Sequence, residues 1–297
     1  MINRVTQQTV QRTTLANLQS NLAKMAQMQG EMSSGKLITK ASDDPNAAGR
    51  SMTLRAEKSA TTQALRNAQD GQSWLAQIDT TLQQSITSLQ RARDLTVQGA
   101  STGSASATSR EAIAVELEGL RDGLLDLANT TLNGRSLFAG TSSDGIAFDD
   151  GAGGYAWHGV AGASVERRIG ADATVRVDAD GAAAFGVGAT SVFQLLDDIA
   201  ADLRGGVDVT GRLDEIDARL AGMTSSIADV GIRFKQVMDT QSSLELKVQD
   251  LTSGISGLED IDLAETVMEL QMQEVAYQGA LGAAGRVLQP TLMDFLS

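Results

Sequence analysis

The stretch Leu213–Leu258, LDEIDARLAGMTSSIADVGIRFKQVMDTQSSLELKVQDLTSGISGL, decides the fold. In it Leu213, Ile216, Leu220, Met223, Ile227, Val230, Phe234, Val237, Gln241, Leu244, Val248, Leu251, Ile255 and Leu258 follow one another at alternating steps of three and four. Thirteen of these fourteen positions are apolar, a regularity that chance does not sustain over such a length. A repeat of period 3.5 is the narrow a/d seam of a helix packed lengthwise on another helix. Gln241, at one seam position, fixes register at some cost in stability. Ser253-Gly254 and Ser256-Gly257 make the last turn of the run a poor helix. The seam from Leu213 to Leu251 is expected to hold the chain's own bundle.

Such a seam needs a second long helix to receive it. Asp44 suits a helix N-cap and Pro45 the first helical turn, where its missing N–H costs nothing. From about 46 to 100 no proline intervenes, and Leu54, Leu65, Leu75, Ile78, Leu82, Ile86 and Leu89 recur at helical spacings. That helix would be roughly 80 Å long at ~1.5 Å per residue. The two long helices are of comparable length, so short connections favour an antiparallel arrangement. Gly99 to Gly103 reads as a turn, followed by a third helix with Ile113, Leu117, Leu120, Leu124 and Leu127 on one face.

Both ends of the chain carry thinner stripes. Leu15, Leu18, Leu22, Met25 and Met32, with Gln29 in one slot, form a narrow seam. It fits a helix–helix contact or an amphipathic helix on a globular core. A terminal helical segment at 261–296 carries Ile261, Val267, Met268, Val275, Leu281, Leu288, Leu292 and Phe295. Neither stripe buries much alone, so both segments depend on further copies or partners for order. Met25, Met28, Met32, Met268, Met272 and Met293 sit near the termini, as core filler or as adaptable packing in an assembly.

Between the helical halves the texture changes. Residues 140–190 are rich in Gly, Ala and Asp, with short alternating runs at Val165–Ile169 and Thr174–Asp178 that read as strands. Asp144-Gly145, Asp150-Gly151 and Asp180-Gly181 are turn signals. The expected class is therefore mainly α with a small β insertion, built as a long antiparallel helical bundle. The divisions are 1–45, an N-terminal assembly helix; 46–137, the first half of the bundle; 138–190, the β-rich insertion; 191–255, the second half; and 256–297, a C-terminal assembly helix. A β insertion of this size is expected to bury little surface.

Composition narrows the function. The 297 residues include no Cys, one His, two Pro and 3% aromatics, so the core is expected to be aliphatic. Lacking Cys excludes disulfides, thiolate metal sites and a cysteine nucleophile, and a single His leaves most acid–base schemes unstaffed. The net charge of −13, with no basic run, disfavours nucleic acid and anionic membranes as partners. No stretch approaches the ~20 apolar residues of a membrane span. The polar start, Met1 to Val10, lacks the apolar region of a Sec signal. His158 beside Trp157 invites a catalytic reading, but nothing nearby in sequence completes a nucleophile–base set. Asp149-Asp150-Gly151 and Asp178-Ala179-Asp180-Gly181 lack the downstream Glu of a calcium loop. Gly151 to Gly154 lacks the ending of a phosphate loop. Asp197-Asp198 and Asp214, Glu215 and Asp217 fit solvated helix faces. No catalytic, cofactor or metal residue is expected.

Several segments, taken in order, carry a family resemblance. Met32-Ser33-Ser34-Gly35-Lys36-Leu37-Ile38, followed by Ser42-Asp43-Asp44-Pro45-Asn46-Ala47-Ala48-Gly49, resembles the flagellin-type signature of "LSSG", a basic residue and "DDPAG". Leu132 to Thr141 resembles "NGRYLFAGT", with Ser136 in place of the Tyr, a change expected to weaken packing against the insertion. The ending Leu292-Met293-Asp294-Phe295-Leu296 and the opening Met1 to Thr6 resemble those of the flagellar hook-associated proteins of the FlgL type, within the flagellin-like family. The resemblance covers roughly 1–141 and 205–297.

The resemblance implies an extracellular structural protein of the bacterial flagellum, exported unfolded through the type III channel without a cleaved signal. It implies a ring of about eleven copies at the hook–filament junction, between the first hook-associated protein and flagellin, with an outer β-rich domain. It also implies a cytoplasmic export chaperone that holds the C-terminal helix. Leu15, Leu18, Leu22, Met25, Leu281, Leu288, Leu292 and Phe295 are then the expected assembly contacts. A filament subunit of the flagellin kind, and a cytosolic coiled-coil scaffold, are the alternatives.

Overall fold

The computed structural model describes residues 2–101, 106–151, 154–170 and 172–288. In order, the elements are α1 (Ile2–Ser34), α2 (Pro45–Ser101), α3 (Ala107–Ala128), β1 (Thr131–Leu132), β2 (Arg135–Ser136), β3 (Phe148–Gly151), β4 (Gly154–Trp157), β5 (Glu166–Arg168), β6 (Thr174–Arg176), α4 (Gly181–Phe185), α5 (Val192–Gly205), α6 (Arg212–Glu259) and α7 (Leu263–Leu288). Among the described residues the strands pair as three antiparallel two-stranded hairpins, β1–β2, β3–β4 and β5–β6. Among the described residues no helix is long and apolar enough to cross a membrane. The chain divides into two compact units: a terminal unit of residues 1–60 and 248–297, and a central unit of residues 61–247. Helices α2 and α6 each contribute residues to both.

In the central unit α2 and α6 run antiparallel. The Arg93 Nε lies 2.6 Å from Asp217 Oδ1, whereas Gly71, well before Arg93, and Arg233, well after Asp217, both lie against the 176–178 segment. The heptad seam supplies the core as its spacing requires. Ile216, Met223, Val230 and Val237, one per heptad, are buried, while Leu220, Ile227, Phe234 and Leu244 pack half-buried against them. Leu213 is half-buried at the start of α6. Val248 and Leu251 continue the seam in the terminal unit, half-buried and buried respectively. From α2, Trp74, Leu75, Ile78, Leu82, Leu89 and Leu95 complete the bundle's interior.

Three local expectations are corrected. The Ser-Gly pairs do not end the long helix: α6 continues to Glu259, and at Gly254 an added Cβ would lie 3.6 Å from Leu54 Cδ1, an ordinary contact. Gly99 is not a turn residue; it lies inside α2, where an added Cβ would sit 2.6 Å from Leu203 Cδ2, so it permits close packing of α5. Asp180-Gly181 is not a hairpin turn. The Asp180 carboxylate accepts from the Ala182 and Ala183 N–H groups and caps α4.

The insertion also buries more than expected, and the core is not purely aliphatic. Phe138, Phe148, Tyr155, Phe185 and Phe193 are buried and meet at centroid distances of 5.1 to 5.9 Å, mostly edge to face. The few aromatics are thus concentrated where a short segment must fill a core with little chain. At its start, Asn133 and Gly134 both take positive φ, 53° and 76°, in the two-residue turn joining β1 to β2. Ser136, in the position of the family's Tyr, is buried and accepts from the Phe138 N–H, so it orders the turn into the insertion. The α3–α5 contact is fastened by ion pairs: Arg204 binds Glu111 and Glu118, and Arg121 binds Asp197 at 2.7 Å. The Tyr155 hydroxyl donates to Asp197 at 2.7 Å and accepts from Arg121 at 3.0 Å, and desolvation with the nearby carboxylate raises its pKa.

Candidate assembly site

The terminal unit holds the expected assembly residues. Its centre is the junction where α1 ends and α7 begins. Gly35, at φ 69°, terminates α1. The next residue, Lys36, makes an antiparallel bridge with Asp260, in which the Leu37 N–H donates to the Glu259 carbonyl at 2.6 Å and the Ile261 N–H to the Gly35 carbonyl at 3.2 Å. Asp262 then caps α7 by accepting from the Ala264 and Glu265 N–H groups. On the other side, Asp43 accepts from the Thr39 and Lys40 N–H groups and Asp44 from those of Asn46 and Ala47. Pro45 opens α2, as the capping reading requires. The two acidic residues of the signature thus do different work: one ties the loop and one starts the helix.

Glu259 is the hub of this junction. Its side chain is buried. It accepts from Arg55 Nε at 2.9 Å, from Lys36 Nζ at 2.8 Å and from the Ser51 hydroxyl. The Arg55, Lys36 and Ser51 hydrogen bonds, in that order, hold its carboxyl down at about 2, against the opposing effect of burial. Lys36 also pairs with Asp260 at 3.0 Å. Sequence reasoning quoted Lys36 within the signature but gave it no partner. Glu259, Ser51 and Arg55 were missed, because no local spacing joins residues some 200 positions apart.

The α1 and α7 helices pack on each other beyond the junction. Leu18 and Met25 are half-buried, on the same side of α1 as Thr14, Asn21, Met28 and Met32. Leu15 and Leu22 of the expected seam are exposed. The 3–4 stripe therefore spans the edge of the contact, since Leu15 and Leu22 stand about 60° around the helix from Leu18 and Met25. Leu281 is exposed. Leu288 is the last residue of α7, and Leu292 and Phe295 lie outside the described residues. Nearby, α1, the 37–44 loop, the start of α2 and the end of α6 line a cleft of about 820 Å³.

The residues weighed for chemistry come together only in part. His158 lies 3.5 Å from Asp144 Oδ2 through Nδ1 and 3.1 Å from Asp149 Oδ1 through Nε2, with no serine or threonine hydroxyl bonded to it among the described contacts. Trp157 donates its indole N–H to the Phe138 carbonyl at 2.9 Å. Asp178 is fully buried, where it binds Arg176 and the Val165 N–H. Among the described residues no group of His, Asp and Glu has the arrangement of a metal site.

Comparison with known proteins agrees with the architecture. The N-terminal helical region of bacterial flagellins matches residues 5–143, and the C-terminal helical region matches residues 213–296. Flagellar hook-associated protein 3 of Salmonella typhimurium is 26% identical over 93% of this chain and 94% of its own length. Flagellin of Bacillus subtilis is 28% identical over 90% of each chain. Among solved structures, flagellar hook-associated protein 3 of Legionella pneumophila shares the fold with a TM-score of 0.63, at 15% identity, over 70% of this chain and 98% of that one. FlgL of Bacillus cereus does so with a TM-score of 0.59, at 23% identity, over 69% and 99%.

Proposed function

Because this chain belongs to the bacterial flagellin family, we propose that it is a structural, non-catalytic protein of the flagellar hook–filament junction. It works by closing copies of its terminal helices into a ring. The observation that carries this reading is the α1–α7 pair. The two helices hold each other in the terminal unit, yet leave Leu15 and Leu22 on α1, and Met268, Met272, Val275 and Leu281 on α7, open to solvent. Exposed apolar surface of that kind marks an interaction site. Head-to-tail contacts between copies close into a ring when the rotation permits. Hook-associated relatives cover 93% and 85% of the chain, and the resemblance of the Asp294-Phe295-Leu296 ending to that of the junction proteins favours the junction over the filament. In this reading the chain reaches the flagellum by type III export, with a chaperone on α7 before export. The first hook-associated protein and flagellin flank the ring of about eleven copies.

Truncation tests the reading. A chain lacking residues 281–297 is expected to keep the central unit folded, by circular dichroism and thermal unfolding, but to be absent from sheared flagella. Junction assembly by the truncated chain would overturn the proposal. The filament reading, which the Bacillus subtilis relative keeps in view, predicts long polymers when purified protein is added to filament seeds; a junction protein stops after a short zone.

A further inference from the structure

The turn between β1 and β2 joins the two residues of the chain best placed to react with each other. Of its seven asparagines only Asn133 is followed by glycine. Asn133, Gly134 and Arg135 are all exposed. Any asparagine side chain can close a ring on the next backbone nitrogen; what differs between sites is access and fastening. At Gly134 no side chain shields that nitrogen, and an added Cβ would meet nothing within 4 Å. Among the described contacts the Asn133 side-chain amide makes no hydrogen bond.

The other six are held or shielded. Asn129 donates to the Phe148 carbonyl and accepts from the Ala147 and Phe148 N–H groups, each at 2.8 Å. Asn67 donates to the Arg168 carbonyl at 2.8 Å. Asn3, Asn17, Asn21 and Asn46 lie within α1 and α2, each followed by a residue with a side chain.

We propose that Asn133 is a site of spontaneous deamidation in the folded chain, and that its isoaspartyl product opens the β1–β2 hairpin at the start of the insertion. The proposal is independent of the junction reading. Hydroxide removes the Gly134 amide proton, and the nitrogen attacks the Asn133 side-chain carbonyl carbon. That N–C bond closes a cyclic imide. The bond from the carbon to the side-chain nitrogen breaks, and this nitrogen takes a proton from water and leaves as ammonia. Water then opens the imide. Cleavage at the side-chain carbonyl yields aspartate; cleavage at the main-chain carbonyl yields isoaspartate, whose chain runs through the former side chain. The sum is amide plus water to acid plus ammonia, with no oxidation.

The two products differ in their effect on the turn. Leu132 pairs with Arg135 across exactly two residues, with Asn133 at φ 53° and Gly134 at φ 76°. Such a turn works because its twist matches that of the strands. Aspartate keeps the chain length and tolerates positive φ. Isoaspartate adds a carbon to the main chain, which the two-residue connection has no room to absorb. The Leu137 N–H, which donates to the Thr130 carbonyl at 3.2 Å just beyond the hairpin, then loses its protection.

The full-length protein, kept folded in mildly alkaline buffer, tests this by peptide mass mapping. The mass gain of an amide becoming an acid is expected at Asn133 before any other asparagine. Isomerisation at Asp144-Gly145 or another Asp-Gly pair leaves mass unchanged, so it does not mimic the signal. Anion exchange then resolves the isoaspartyl fraction for hydrogen exchange at the Leu137 amide. Loss of protection there is expected, with protection kept in Asn133→Asp, which carries the same charge on an ordinary backbone, and in Asn133→Gly, which cannot deamidate. First conversion at another asparagine would overturn the site. So would conversion of Asn133 in urea but not in the folded chain. Unchanged Leu137 protection in the isoaspartyl fraction, or equal loss in Asn133→Asp, would overturn the opening of the hairpin.

Discussion

Replacing Glu259 by Gln tests whether the hub holds the terminal unit together. Holding the carboxyl at about 2 instead of its ordinary 4.5 corresponds to about 3 kcal/mol at ~1.4 kcal/mol per pH unit. That figure is an upper bound, because Arg55 and Lys36 are 58% and 39% exposed and water screens and replaces their contacts. A net loss of about 1–2 kcal/mol remains, below the ~3–5 kcal/mol of a fully buried broken pair. The folded-state pKa is depressed, so this stability is fully present above pH 4.5 and is lost as the pH falls through about 2. Hydrogen exchange at the Leu37 and Ile261 amides, which form the bridge beside the hub, reads it directly. Glu259→Gln should speed their exchange roughly 5- to 30-fold at neutral pH. The wild-type advantage should shrink between pH 4.5 and 2, toward the variant's flat profile. Equal protection in both proteins at neutral pH, or a wild-type advantage undiminished at pH 2, would refute the reasoning.

Three further outcomes follow from the central unit. Gly181→Ala should lower stability by about 1–3 kcal/mol, because its Cβ would lie 2.5 Å from the Phe138 carbonyl oxygen. Gly123→Ala on α3, with open space around it, should raise it by up to about 1 kcal/mol through helix propensity; thermal unfolding compares the two. Tyr155→Phe removes the hydroxyl between Asp197 and Arg121 and should cost about 1–2 kcal/mol, read by urea denaturation. Ile216→Ala, at a fully buried seam position, should cost about 2–5 kcal/mol, whereas Leu213→Ala at the half-buried start of α6 should cost clearly less by the same assay.

Much of the fold follows from local pattern. The 3–4 seam on α6 reflects the helix's own geometry, so its existence and length are legible wherever the repeat holds. The Asp44-Pro45 start of α2 is legible for the same reason: capping is satisfied within a few residues. The packing of the terminal helices was legible in kind but not in detail. The stripe of Leu15, Leu18, Leu22 and Met25 pointed to helix contacts on α1. Spacing alone could not tell which of its residues face α7 and which face outward, because a 3–4 stripe is wider than one contact line.

The sequence by itself determined the helical class, the long paired helices, the β-rich insertion and the family signature, since each depends on residues within a few turns of one another. Only the tertiary structure decided where Glu259 finds Lys36, Ser51 and Arg55, how the scarce aromatics gather around Phe193, and which faces of α1 and α7 remain open. Those features join residues far apart in the chain, and burial and charge pairing are set by what lies across a contact, which no local spacing specifies.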